Sequence, residues 1–157
     1  MRFATLAASV LTSVLVLGCA GEAPQADAPE GAAPETPSIA SSDPGVAVTV
    51  DGGQYRNILV PELQAMLANE DFPMINVHVP FAGDIPGTDA SIRYDEIQNH
   101  LDQLPADKDA RIVLYCRSGP MSEDASEALV ALGYTDVYNL VGGFNAWVEA
   151  GLPLATQ

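Results

Sequence analysis

The feature that most constrains this chain is an alternation of short apolar strands with helix-patterned segments between Val46 and Gln157. Val46–Val50 is rich in β-branched residues, Asp51-Gly52-Gly53 is a turn signal, and Tyr55–Leu59 is a second extended piece. Pro61 opens a helical stretch in which Leu63, Met66 and Leu67 recur at three- and four-residue spacing. Met74–Val79 reads as a strand closed by Pro80, and Gly83–Asp89 as a loop. Ile92, Tyr94, Ile97, Leu101 and Leu104 space as one helix face. Arg111–Tyr115 then reads as a buried strand, Glu123–Leu132 as a helix, Asp136–Leu140 as a strand, and Phe144–Ala150 as a last helix after Gly142-Gly143. Such alternation implies an α/β fold with a central, mostly parallel sheet and helices on both faces. At 112 residues, the stretch 46–157 is long enough to bury one core without disulfides or metal.

The preceding 45 residues have a different character. Arg2 is followed by an apolar run from Phe3 to Leu17 and then by the small residues around Gly18-Cys19. A charged start, a short apolar stretch and a small-residue cleavage site read as a secretory signal over residues 1–18. The run is shorter than the ~20 residues that span a bilayer. Val16-Leu17-Gly18-Cys19 resembles a bacterial lipobox, which makes Cys19 the expected lipidation site and the first mature residue. The expectation is an exported protein, lipid-anchored to the envelope and facing the periplasm, with the membrane as a partner only through that anchor. From Cys19 to Gly45 the chain holds five prolines, many alanines, five acids and no Lys or Arg, with Ile39 its one large apolar residue. Such a segment has too little apolar surface to fold and reads as a disordered tether.

Charge excludes one class of partner. Six Lys and Arg against 21 Asp and Glu give a formal net charge of −15. A surface of that sign repels phosphate backbones, so nucleic-acid binding through a basic face is not expected.

In parallel α/β sheets, reactive loops lie at the carboxyl ends of strands. Cys116 stands there, directly after Tyr115, and opens the loop Cys116-Arg117-Ser118-Gly119-Pro120-Met121-Ser122. Gly119 and Pro120 let the backbone curl so that successive N–H groups converge as an anion nest. The following helix aims its positive dipole end at the same place. A thiol so placed has a lowered pKa, and Arg117 adds positive charge, whereas Glu123 and Asp124 oppose a thiolate. These effects compete, so the residues alone leave the sign of the net shift open. The inert alternative is a buried structural cysteine. With Cys19 lipidated, Cys116 has no intrachain disulfide partner, which favours the reactive reading.

These residues carry a resemblance. Y-C-R-S-G-P-M-S from Tyr115, A-L-x-x-L-G-Y ending at Tyr134, and L-V-G-G-F-N-A-W-x-x-A-G-L-P ending at Pro153 together resemble a single-domain rhodanese. Ile85-Pro86-Gly87-Thr88 is similar to the family's I-P-G-A, and Asn57-Ile58 with Pro61-Glu62-Leu63 resemble its opening. The resemblance implies a rhodanese-like fold over residues 46–157, with Cys116 as sulfur-carrying nucleophile. It also implies that Arg117, Ser118, Gly119, Pro120, Met121 and Ser122 form the loop that cradles a persulfide. Four positions depart from the pattern. Asn76-Val77-His78 replaces Asp-Val-Arg, Asp84 replaces the His before I-P-G, and Met121 replaces a frequent second cation. His78 is a possible accessory acid or base, or a structural residue at a strand end.

The implied activity is sulfur transfer from thiosulfate or a persulfide donor to a thiol or cyanide, by two displacements at Cys116. No cofactor is expected, and no Cys/His cluster has metal-ligand spacing. A phosphatase or arsenate reductase on the same fold would need a cation closing the loop, typically C-x5-R, where this chain has Ser122. A non-catalytic binding module on a membrane tether is the remaining alternative.

Overall fold

The computed structural model describes residues 43–155; the expected signal segment, Cys19 and the tether as far as Ser42 lie outside the described residues. Asp51-Gly52 forms a two-residue turn, and Val50 stands opposite Gly53. This hairpin pairs β1 (Val46–Val50) antiparallel to β2 (Gly53–Ile58). The chain then alternates through α1 (Val60–Leu67), β3 (Met74–Asn76), β4 (Ala90–Ser91), β5 (Ile112–Tyr115), α2 (Pro120–Ala131), β6 (Val137–Leu140) and α3 (Gly143–Glu149). The sheet order is β1-β2-β6-β5-β3-β4, and every pairing after the hairpin is parallel.

Helices cover both faces, as the alternation implies. On β5, Ile112 and Leu114 point into one core with Ala125 and Leu129 of α2. Val113 and Tyr115 point into the other, with Leu63 of α1 and Phe144 and Trp147 of α3. All four β5 residues are buried, which is why the strand reads as an unbroken apolar run instead of an alternating one. Trp147 is 6% exposed and donates its indole N–H to the Pro153 carbonyl at 3.0 Å, fastening α3 to the chain's last turn.

Between β3 and β5 the structure departs from expectation: β3 stops at Asn76, short of Val79, and Ala90–Ser91 adds the strand β4. Ile92–Leu104 is not a single helix but two 3₁₀ turns, Ile97–Asn99 and Leu101–Gln103, after an extended start. The N–H groups of Ile92 and Tyr94 donate to the carbonyls of Asn76 and Val77, so this stretch is first held along the sheet. Ile97 and Leu104 are still buried. A 3₁₀ turn repeats every three residues, so apolar spacings of three and four fit it as well as an α-helix over so short a span.

Candidate functional site

Helix α2 begins at Pro120, earlier than the apolar pattern suggests, because proline is well suited to a first turn where its missing N–H has no helical acceptor. The loop between β5 and α2 is therefore short. Pro120, Met121 and Ser122 belong to the helix's first turn, and Gly119, with φ of 124°, makes the reversal into it.

Cys116 follows β5 directly and is 1% exposed. Its Sγ accepts the Gly119 N–H at 3.0 Å and lies 3.6 Å from the Ser122 hydroxyl. The loop owes its shape to α3. Phe144 N–H donates to the Cys116 carbonyl at 2.9 Å, and Asn145 N–H to the Arg117 carbonyl at 3.0 Å. A trans peptide sets its N–H opposite its C=O, so drawing these two carbonyls toward α3 turns the Arg117 and Ser118 amides the other way. Gly143 makes this docking possible. A Cβ there would meet the Cys116 carbonyl oxygen at 2.1 Å, and its φ of 55° is left-handed. Sequence reasoning assigned Gly142-Gly143 to the turn before Trp147 and missed this support of the Cys116 loop. The available signal was a glycine pair where a helix start ordinarily carries Ser, Thr, Asp or Asn.

Burial pushes the Cys116 thiol up, but the Ser122 hydroxyl and the amides of Gly119, Ser118 and Ser122 more than offset it, leaving the thiol below its ordinary value. Hydrogen-bond donors, not the neighbouring carboxylates, decide the sign that the sequence left open.

Arg117 and Ser118 are exposed at the mouth, and Met121 is half-buried against the α2-side core. Among the described residues the other cations are engaged. Arg56 donates to the carbonyls of Asp43, Pro44 and Gly45. Arg93 pairs with Asp95 and Glu96, Arg111 pairs with Glu70 and Asp136, and Lys108 lies over the Tyr134 ring. Arg117 makes no ion pair or side-chain hydrogen bond within the described residues, so its charge remains available beside Cys116.

His78 sits two residues beyond β3, half-buried, its ring edge-on to Phe144 at 5.6 Å. Burial and then the Arg117 charge hold its pKa below the ordinary value, so the ring is neutral at pH 7. No hydrogen bond joins it to Cys116 among the described residues; its contact is with the α3 residue that supports the loop. The two other departures from the rhodanese pattern prove to be one contact. Asn76, 1% exposed, donates to the Asp84 carboxylate at 2.8 Å and to the Gly83 carbonyl at 3.0 Å, while its own oxygen accepts the His78 N–H. An aspartate at 76 would face Asp84 charge to charge. A neutral carboxamide there is what an acid at 84 requires.

Known proteins share this sequence and fold. Residues 62–150 match the Rhodanese-like domain family. A sulfurtransferase of Allochromatium vinosum is 34% identical over 94 residues, covering 58% of this chain and 85% of the relative. The thiosulfate sulfurtransferase GlpE of Pseudoalteromonas translucida is 30% identical over 103 residues, covering 61% of this chain and 91% of the relative. In structure, a rhodanese-related protein from Thermoplasma volcanium superposes with a TM-score of 0.56 at 25% identity, covering 66% of this chain and all of that one. With the family match spanning more than half its length, and the one cysteine among the described residues at the end of β5 in an amide-lined loop, this chain belongs to the rhodanese-like domain family.

Proposed function

We propose that the protein is a sulfurtransferase that carries sulfane sulfur on Cys116. The observation that carries this reading is the thiol itself, buried yet lowered in pKa by donors converging on its sulfur. In the first displacement the Cys116 thiolate attacks the outer sulfur of thiosulfate. The S–S bond of the donor breaks and sulfite leaves with the electron pair, so Cys116 becomes a persulfide. In the second, an acceptor thiolate or cyanide takes the outer sulfur and the Cys116 thiolate is regenerated. No net oxidant or reductant is consumed. The loop amides serve the sulfur anion as an oxyanion hole serves oxygen. Arg117 supplies the attraction for an anionic donor, and a persulfide or polysulfide donor fits the same chemistry. Ser122, buried where a phosphatase-type loop would carry its arginine, weighs against phosphate-ester hydrolysis or arsenate reduction, whose reacting oxyanion needs a bidentate clamp.

The test is mass spectrometry of the purified protein after thiosulfate or polysulfide. Gain of one sulfur atom on the Cys116 peptide supports the transferase; an unmodified Cys116 in a folded protein points to a binding module. From the N-terminal run and Val16-Leu17-Gly18-Cys19 we further propose that a lipidated Cys19 holds the domain at the cell envelope. Cys19→Ala is expected to move the protein from the membrane to the soluble envelope fraction; a variant that stays with the membrane overturns the anchor.

A further inference from the structure

The hydroxyl of Ser122 has two acceptors within reach and only one proton to give. Its Oγ lies 2.8 Å from the Gly119 carbonyl and 3.6 Å from Cys116 Sγ, in a side chain with no solvent exposure. The Gly119 carbonyl does not depend on it. That oxygen already accepts the backbone N–H of Ser122 at 2.9 Å and of Glu123 at 3.0 Å, which occupy both of its lone pairs. Turning the hydroxyl away from Gly119 therefore leaves no buried acceptor unpaired, which is the usual obstacle to such a rotation. The sulfur is in the opposite position. Buried and with one backbone N–H at 3.0 Å, a negative sulfur gains a charge-assisted bond from each further donor.

We infer that Ser122 is a two-position donor, giving its proton to the Gly119 carbonyl while Cys116 is a neutral thiol and turning it to the sulfur once that sulfur is charged. The inference deepens the proposed sulfurtransferase reading by assigning the side chain that would stabilise the Cys116 thiolate before the first displacement and again after the second. It also accounts for serine at the sixth position after the cysteine. A hydroxyl can serve one sulfur anion and withdraw, whereas a fixed cation keeps its charge whether the sulfur is a thiol or a thiolate.

The test uses the full chain and follows alkylation of the Cys116 peptide by iodoacetamide, read by mass spectrometry so that Cys19 does not interfere. Ser122→Ala is expected to move the pH–rate profile about one unit alkaline, the size of a lost hydrogen bond to a charged group. A second measurement separates this role from a merely structural one. A thiol whose pKa is lowered by folding adds stability above its unfolded value of ~8.5, and loses that contribution as pH falls through its folded value. The melting temperatures of wild type and Ser122→Ala should therefore converge at low pH, where the hydroxyl is dispensable, and diverge as the thiolate forms. An unshifted alkylation profile overturns the inference, and so does a melting difference that is constant with pH. Neither readout involves sulfur transfer. A shifted profile in a protein that never accepts sulfur would sink the sulfurtransferase reading and leave Ser122 as assigned.

Discussion

The two edges of the sheet differ in a way that runs against the usual search for a site. At the amino edge the chain is concave and acidic. A cavity of about 350 Å³ lies between the β1–β2 turn and α2, lined by Val50, Asp51, Asp124, Glu127, Ala128 and Ala131. A smaller one, about 240 Å³, is formed by Asp71, Phe72, Pro73 and Asp89 before β3 and β4. At the carboxyl edge Cys116 is only 1% exposed, covered by its own loop. There the backbone N–H groups converge, Arg117 is uncommitted, and the thiol is lowered in pKa. On the proposed reading, an anionic sulfur donor is repelled by the first edge and drawn to the second, and donors and charge mark the site more than cavity volume does.

The sharpest way to break this contrast is Cys116→Ser. The shape is nearly kept, but a hydroxyl stays neutral at working pH. Sulfur transfer to cyanide should be abolished with the melting temperature nearly unchanged. Full activity in this variant would remove the carboxyl edge from the mechanism.

A second comparison sets two left-handed glycines against each other. Gly143→Ala forces a Cβ onto the Cys116 carbonyl, so strain and clash together should cost about 3 kcal/mol and push the Cys116 alkylation profile alkaline. Gly133→Ala, at the amino edge before β6, has φ of 90° but nothing within 4 Å, so it should cost only about 1 kcal/mol and leave Cys116 untouched. Equal melting shifts in the two variants would mean that α3 is not seated on the loop as described.

Charge gives a smaller effect. Arg117→Ala should raise KM for thiosulfate several-fold with kcat little changed, and Met121→Arg should lower it. Both changes should shrink as salt rises, because exposed charges are screened beyond roughly 8–10 Å at physiological ionic strength. KM values insensitive to both substitutions would assign donor binding to the amides alone. The smallest effect belongs to the acidic cavity. Asp51→Asn with Glu127→Gln should change stability by less than about 0.5 kcal/mol and KM by less than twofold. A large change in KM would show that the amino edge takes part in binding after all.

The order of strands and helices, the burial of β5 and the place of Cys116 were legible because each is written in local pattern. Apolar periodicity, turn residues and a cysteine at a strand end need no knowledge of distant neighbours. The rhodanese motifs added the expected role of the loop. What stayed illegible is what the fold brings together from far apart. Ile92–Leu104 lost its single helix because β3 claims its first N–H groups, and nothing within that segment announces a distant acceptor. Asn76 and Asp84 looked like two unrelated departures until their side chains met. The sign of the Cys116 shift followed the same rule. Glu123 and Asp124 are visible in the sequence, but among the donors that outweigh burial the Ser118 amide is turned by the bond from the Asn145 N–H to the Arg117 carbonyl, some 27 residues downstream. Sequence alone determined which groups this protein has for chemistry. Only the tertiary structure decided which way their N–H bonds point, because hydrogen bonding depends on direction as much as on composition.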